Sequence, residues 1–185
     1  GLAVGGWVIL FMMPSATLYI CHDGLMPPLG QSQVAEYLRE LGATEEFAIT
    51  LVSFEKQVDL DDTVRREGCR RRLKERGVDW IALPYHRYPT GLATLYDLAA
   101  GFFVCAWLCA SRDVKLVHAR SQVPATIGLV LKWVFGVALI YDMRGLWADE
   151  RVDLGQLKKS SFVYKAAKYF EGVLLRQADV VVSLT

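Results

Sequence analysis

The sequence predicts an α/β domain, a Rossmann-like doubly wound parallel sheet of about six or seven strands with helices on both faces. Short apolar runs alternate six times with helical segments along the 185 residues. These runs are apolar at consecutive positions, which indicates strands buried on both faces. Hydrophobic residues make up 53% of the chain and charged residues 22%, so a chain of this length can bury a core.

The first unit of the alternation joins a strand to a helix. The run TLYICHD at 17–23 ends in turn residues and predicts the first strand. Apolar residues at helical spacing predict a helix over 31–41, which Gln31 or Ser32 can cap. The apolar stripe of this helix comprises Val34, Tyr37, Leu38 and Leu41.

The later elements follow the same two patterns. Short apolar runs bounded by polar residues predict strands at 47–54, 78–85, 114–119, 137–142 and 179–185. Longer segments with apolar periodicity predict helices at 59–76, 91–110, 123–135 and 160–178. The first of these helices can break at Gly68, because the apolar residues before and after it point to opposite sides. Residues 143–157 are expected to form a loop.

Two helices raise a question of environment. The segment 91–110 is apolar enough to resemble a membrane span. Asp97 and the flanking strands favour a core helix instead. The helix over 160–178 is expected to bury one face, formed by Phe162, Ala166, Tyr169, Phe170 and Val173.

Charge and cysteine content narrow the classes of function. The net charge of +1 argues against a nucleic-acid partner. The four cysteines form no C-x-x-C pair and show no zinc spacing, so we expect no metal and a reducing, cytoplasmic compartment. Residues 1–16, whose apolar stretch is too short to span a bilayer, are treated as an N-terminal extension before a domain over 17–185.

Polar residues follow every predicted strand, where an open parallel sheet binds its ligands. All three histidines of the chain belong to this set, which favours this edge as the working surface. The residues concerned are His22, Asp23, Gly24, Glu55, Lys56, Tyr85, His86, Arg87, His118, Arg120, Ser121, Asp142, Arg144 and Gly145.

The stretch HDGLMPPLG, residues 22–30, is here named the glycine loop. Gly24 and Gly30 permit backbone conformations and close approaches that a side chain blocks. The free N–H groups of the following helix can then bind an anion or a sugar hydroxyl. The alternative is a long surface loop with ordinary turn chemistry.

Two further segments carry candidate chemistry, each with a structural alternative. In VHARSQVPA, the Arg120 guanidinium is suited to bind a phosphate or carboxylate. The alternative is that His118 and Arg120 only stabilise the fold. In YDMRGLWADE, a carboxylate can orient a sugar hydroxyl or act as a base. The alternative is that an Asp–Arg ion pair only stabilises the conformation of the loop. The basic run 65–76 is a solvated helix face or a contact for an anionic membrane surface.

In their order and spacing, five segments resemble the N-terminal domain of family-four glycosyltransferases with the GT-B fold. The resemblance covers about residues 17–185. The segments are CHDGLMPPLGQSQVAEYLREL, LVSFEK, VHARSQVPATIGLVLK, YDMRGLWADERVD and ADVVVSLT.

The resemblance implies one half of an enzyme with two Rossmann-like domains. The N-terminal half would hold mainly a saccharide or lipid-linked acceptor, and a C-terminal half, absent here, would bind the nucleotide-sugar. Such enzymes typically retain the anomeric configuration, need no metal or other cofactor, and often build cell-surface saccharides. A second half is also expected because the chain ends on a strand at Thr185. The 185-residue piece alone should then be inactive.

The same resemblance assigns roles to individual residues. Asp23, Gly24, Gly30 and Gln31 would lie beside the donor phosphates and the reacting sugar. His118, Arg120 and Asp142 would serve catalysis. Many relatives have a histidine where this chain has Arg120, which leaves open whether His118 or Arg120 takes the central role. The acceptor side would include His86, Arg87, Arg144 and Glu150.

Two other functions are compatible with a Rossmann-like sheet. A self-standing binding or regulatory module would need no second half. A methyltransferase or dehydrogenase is the weaker alternative, because the first strand is followed by no G-x-G-x-x-G fingerprint.

Overall fold

The computed structural model describes residues 15–183. Its six strands are β1 (Ser15–Cys21), β2 (Phe47–Glu55), β3 (Val78–Pro84), β4 (Leu116–Arg120), β5 (Ala138–Met143) and β6 (Val180–Ser183). They form one parallel sheet in the order β3-β2-β1-β4-β5-β6. This is the strand order of the dinucleotide-binding Rossmann fold, and it confirms the predicted fold class.

Seven helical segments connect these strands in the described part of the chain. They are α1 (28–42, built from Pro28–Gly30, the π-type turn Gln31–Ala35 and Glu36–Gly42), α2 (Gln57–Asp61), α3 (Thr63–Lys74), α4 (Thr90–Arg112), α5 (Gln122–Phe135), α6 (Trp147–Asp153) and α7 (Phe162–Gln177).

Two apolar cores lie on the two faces of the sheet, because side chains alternate along each strand. Leu18 and Ile20 of β1 point into the first core, with residues of α4, α5 and α7. The alternate residues of the same strand, Tyr19 and Cys21, point into the second core with residues of α1 and α3. The strands are therefore covered on both sides, as their continuous apolar runs predict.

Helix α4 is the one helix in the described residues that is long and apolar enough to cross a membrane, with a mean hydropathy of 1.7 over its best window. It connects β3 to β4 and packs Cys105, Leu108 and Cys109 into the first core, as the core-helix prediction requires. Its outer side nevertheless exposes large apolar side chains, among them Phe103 and Trp107.

The break in the helix predicted over 59–76 lies at Asp62 and not at Gly68. The carboxylate of Asp62 accepts a hydrogen bond from the Arg65 backbone N–H at 3.0 Å and caps α3. An N-cap aspartate satisfies a helix donor that otherwise has no partner. Gly68 continues the helix, since the neighbouring Cys69 is buried in the second core.

Other differences concern chain segments near the sheet edges. The predicted loop 143–157 contains α6, whose first turn carries two acids that favour a helix N-terminus. Helix α1 begins at Pro28, before the predicted start, and no side chain caps it. Strand β6 is an edge strand, and the predicted strand end at Thr185 and most of the 1–16 extension lie outside the described residues.

The predicted buried face of α7 is only partly right. Phe170 and Val173 pack against the first core, and Leu174 is fully buried there. Phe162 and Tyr169 are mostly exposed, because the helix turns a different side to the sheet.

Candidate active site

A cleft of about 750 Å³ lies at the carboxyl edge of the sheet, and residues following β1, β3, β4 and β5 line it. β1 and β4 are neighbours although their numbers differ by three, so the strand order reverses here. Crevices at such a switch point are the usual ligand sites of open α/β sheets. The lining includes His22, Asp23, Tyr85, Thr94, Ser121, Gln122, Arg144, Gly145, Trp147, Glu150 and Arg151.

His22 stands between this cleft and a smaller cavity of about 200 Å³ that it shares with the glycine loop. Its ring packs 5.3 Å from the rings of Phe54 and Tyr85, measured between centroids. Burial lowers the pKa of His22, although Asp23 and Asp97 act in the opposite direction. The imidazole is therefore neutral at pH 7, and its buried Nε2 atom has no hydrogen-bond partner.

Asp23 and Arg144 connect two loops across the cleft. A guanidinium nitrogen of Arg144 lies 2.8 Å from the Asp23 carboxylate, 121 positions apart in sequence. Glu150 of α6 lies against Gly145, where a Cβ atom would overlap its carboxylate. Both acids and Arg144 are thus held at the lining of one cleft, as their positions after the strands predict.

Ser121 has an unusual backbone conformation at the floor of this cleft. Its φ of 76° and ψ of 173° lie in a region that is occupied almost only by glycine. The Ser121 N–H donates to the Asp142 carbonyl at 2.9 Å, and the Ser121 carbonyl accepts from Ala125. These bonds hold the strained residue between β4 and α5.

The glycine loop is fastened to the sheet by Glu55, a fully buried residue at the end of β2. The Glu55 carboxylate accepts hydrogen bonds from the backbone N–H groups of Leu25 at 2.6 Å and Met26 at 3.2 Å. It also accepts from the Ser53 hydroxyl at 2.5 Å. Two N–H groups of the loop are therefore already bound within the chain.

Contacts within the chain also account for both glycines of the loop. Gly24 has a φ of +78°, and a Cβ atom there would lie 3.2 Å from the Glu55 carboxylate. A Cβ atom on Gly30 would overlap the backbone carbonyls of Gly24 and Leu25. The Gln31 side chain donates to the Leu25 carbonyl at 2.8 Å. A role of these residues beside a donor phosphate stays a prediction.

His118, Arg120 and Asp142 come together, but on the other face of the sheet from the cleft lining. Arg120 lies 3.1 Å from the Asp142 carboxylate and donates to the Gln33 side chain at 2.5 Å. The His118 Nε2 atom is 3.9 Å from the same carboxylate, and the His118 ring packs against the Tyr19 ring at 4.5 Å between centroids, with the two planes tilted by 45°. None of the three lines the cleft as the described residues form it.

The electrostatics of this cluster favour an ionised carboxylate. Burial by itself would raise the pKa of Asp142, but His118 and Arg120 outweigh it and hold the pKa below its ordinary value. Strand alternation explains the placement, because Val117 and Ala119 point into the first core and their neighbours point away from it. Their assignment to catalysis stays a prediction.

His86 and Arg87 follow β3 at the rim of the cleft, directly after Tyr85 in its lining, and neither is itself a lining residue. The buried Asp97 accepts from the His86 backbone N–H at 2.9 Å and lies 2.6 Å from its Nδ1 atom. The Arg87 guanidinium stands 5.2 Å from the Tyr88 ring centroid.

The roles of several residues at the site are not predictable from local sequence patterns. Glu55 and Ser121 were recognised only as strand-end residues, because no local pattern shows a long-range hydrogen bond or a strained serine. Trp147 belongs to the helix that was expected to be loop. Asp97 carried a signal, as the one acid in a long apolar helix, but its partner was not evident.

The described residues contain neither a disulfide bond nor a cluster of metal-binding side chains. All four cysteines are free and buried. Within residues 15–183, no three histidine, cysteine, aspartate or glutamate side chains gather as a metal site would require. The absence of a metal from the reaction stays a prediction.

Comparisons with known proteins give one family. The family model described as "Glycosyl transferase 4-like domain" matches residues 30–185. No curated protein sequence matches the chain.

Solved structures resemble the chain in fold. A protein described as a UDP-N-acetylglucosamine 2-epimerase of Listeria monocytogenes is 11% identical, with a TM-score of 0.54 over 92% of this chain and 39% of that one. Another UDP-N-acetylglucosamine 2-epimerase is 11% identical, with a TM-score of 0.52 over 92% and 42%. MurG of Acinetobacter baumannii is 14% identical, with a TM-score of 0.46 over 92% and 41%. The chain thus spans about two fifths of the length of these proteins.

Proposed function

We propose, because the chain belongs to the family of glycosyl transferase 4-like domains, that it is the acceptor-binding part of a glycosyltransferase. The enzyme would transfer a sugar from a nucleotide-sugar to a saccharide or lipid-linked acceptor, with retention of configuration. It would work in the cytoplasm, in the assembly of cell-surface saccharides.

The cleft at the switch point of the sheet carries this proposal. The carboxylates of Asp23 and Glu150 can accept hydrogen bonds from sugar hydroxyls, and Arg144 and Gln122 can donate them. Trp147, which is 41% exposed, offers a flat apolar surface for a sugar ring. A concave site with an aromatic wall and a few polar groups suits one or two sugar units.

The test uses two cleft variants and a matched control. Trp147→Ala and Glu150→Gln should each weaken acceptor use about tenfold or more, since the first removes the apolar ring surface and the second replaces a charged acceptor by a neutral one. Trp133→Ala, which removes a tryptophan that is 62% exposed on α5, should leave it unchanged. The assay measures transfer by the complete enzyme from UDP- and GDP-hexoses to methyl and octyl glycosides. Equal effects of Trp147→Ala and Trp133→Ala would contradict the assignment of the cleft.

The donor is proposed to bind mainly to a second domain, as the partial coverage of the matched structures supports. Calorimetry of this 185-residue chain with UDP-glucose and GDP-mannose should then show weak binding or none. A sub-micromolar Kd would instead favour a self-standing nucleotide-binding module. The transfer is also proposed to need no metal. EDTA should not change its rate, and loss of activity restored by a divalent cation would overturn this point.

Attachment to an anionic membrane is proposed through the basic run 65–76. Helix α3 runs back from the carboxyl edge of β2, so its basic end lies at the edge of the sheet opposite the cleft. Arg71 and Arg76 are exposed there. Replacing both by glutamine should reduce sedimentation with vesicles that contain phosphatidylglycerol, while neutral vesicles show no difference.

A further inference from the structure

His86 and Asp97 form an imidazole–carboxylate pair at the rim of the cleft. Asp97 is the only acid in the 23-residue helix α4, and it is 1% exposed. Both of its oxygens are occupied by one residue, because Oδ2 accepts from the His86 backbone N–H and Oδ1 lies 2.6 Å from His86 Nδ1. A carboxylate is not buried at this cost without such partners.

The contact defines which nitrogen of the neutral imidazole carries the proton. An ionised carboxylate can only accept hydrogen bonds, so Nδ1 must be the donor at 2.6 Å. The lone pair of the neutral ring then lies on Nε2. The edge-to-face contact with Tyr96, at 5.1 Å and 88°, also restricts the orientation of the ring.

His86 differs from the other two histidines in access. The Nε2 atoms of His22 and His118 are buried and have no hydrogen-bond partner. The His86 side chain is 44% exposed. It follows Tyr85, which lines the cleft, and Asp97 lies one helical turn beyond Thr94, which also lines it.

We propose that His86 forms an acceptor-hydroxyl subsite, in which Nε2 accepts a hydrogen bond from a sugar hydroxyl and Asp97 is the positioning residue. The subsite rests on the proposed function, since it names how that cleft continues at its rim. The subsite also has a chemical preference. A lone pair on Nε2 favours a neutral hydroxyl group and disfavours a phosphate or carboxylate, because the oxygens of these anions are mainly negatively charged acceptors.

The first measurement is the ¹⁵N spectrum of the imidazole rings in this chain, which contains only three histidines. At a pH where His86 is neutral, its spectrum should show a protonated Nδ1 atom. Addition of methyl hexopyranosides should shift the His86 Nε2 resonance, and inorganic phosphate should not. A protonated Nε2 atom, a response to phosphate alone, or no response to either probe would overturn the proposal.

The second measurement compares variants by the same titration. His86→Asn retains a donor near Asp97 but loses the ring acceptor, so glycoside binding should weaken about tenfold. Binding to this variant is measured from the NMR chemical shifts of the remaining cleft residues. In His86→Gln the amide oxygen can replace Nε2, and binding should stay within about threefold of the wild type. Ser111→Ala, at the far end of α4, is the control. Equal weakening by Asn and Gln would indicate a role in loop structure alone.

Asp97→Asn tests the positioning role by itself. An amide can present its NH₂ group to Nδ1, so the ¹⁵N spectrum should show that the Nδ1–H preference of His86 is lost, with glycoside binding weakened. A spectrum and an affinity equal to those of the wild type would remove Asp97 from the subsite. These readouts do not need sugar transfer. A complete enzyme that transfers no sugar from any nucleotide-sugar, while this chain still binds glycosides at His86, would refute the proposed function and leave the subsite standing.

Discussion

Replacing Glu55 by glutamine should strongly destabilise the protein, although the two side chains have almost the same shape. The carboxylate is fully buried and accepts three hydrogen bonds, two from the glycine loop and one from Ser53. The Ser53 hydroxyl in turn accepts from the Trp80 indole at 2.8 Å. Glutamine has one acceptor oxygen, so its NH₂ group must face an N–H group of the loop.

The expected loss follows from these bonds. The amide would keep its oxygen at the position that serves Leu25 and Ser53 and would oppose the Met26 N–H with a donor. One buried donor without a partner costs about 1–3 kcal/mol, and two bonds lose the assistance of a charge, at about 1 kcal/mol each. Removal of a buried charge offsets part of this cost. The net effect is about 3 kcal/mol.

Urea unfolding followed by far-UV circular dichroism measures this change. With an m-value of about 2.5 kcal/mol per M, the midpoint should fall by about 1.2 M at an unchanged slope. Glu40→Gln, on the exposed side of α1, should shift it by no more than about 0.2 M. A Glu55→Gln midpoint within about 0.3 M of the wild type would refute the reasoning, because the loop would then not depend on this carboxylate.

Two further predictions use the same titration. Gly30→Ala should destabilise the protein by about 3 kcal/mol or more, since its Cβ would meet backbone atoms of the glycine loop that cannot move aside. Gly68→Ala, whose Cβ would meet only the flexible Arg72 side chain at 3.8 Å, should stabilise it by about 0.5–1 kcal/mol. A destabilised Gly68→Ala variant would contradict the account of Gly68, and a Gly30→Ala variant as stable as the wild type would contradict that of Gly30. Asp142 has a lowered pKa because His118 and Arg120 outweigh its burial, so it adds stability above its unfolded pKa that is lost as pH falls through the folded one. Wild-type stability should therefore fall more steeply than that of Asp142→Asn below about pH 4, and parallel curves between pH 6 and pH 2 would contradict this.

The fold was accessible from the sequence because it depends on local patterns. Strands buried on both faces need apolar residues at consecutive positions, and such runs are visible without partners. The connecting helices need only a periodic apolar side. The errors, at Asp62 and at α6, occurred where short polar segments decide between a cap, a turn and a helix.

The sequence predicts at which edge of the sheet the site lies, but not the contacts between its residues. Since all strands are parallel, their polar followers must meet at one end of the sheet, and Asp23, Arg144 and Glu150 do line a common cleft. The contacts within that edge join residues far apart in the chain, such as Asp23 with Arg144 and Glu55 with Leu25. No local pattern contains such pairs.

The sequence by itself determined the alternation of elements, the parallel sheet and the set of side chains at its carboxyl edge. It also implied that His118 and Arg120 share a face, since they are two positions apart on one strand. Only the tertiary structure decided that this face is not the one lining the cleft, and that Asp97 is the partner of His86. The reason is physical. The alternation of side chains along a strand defines which residues share a face of the sheet, whereas the packing of helices on the sheet defines which of the two faces borders the cleft.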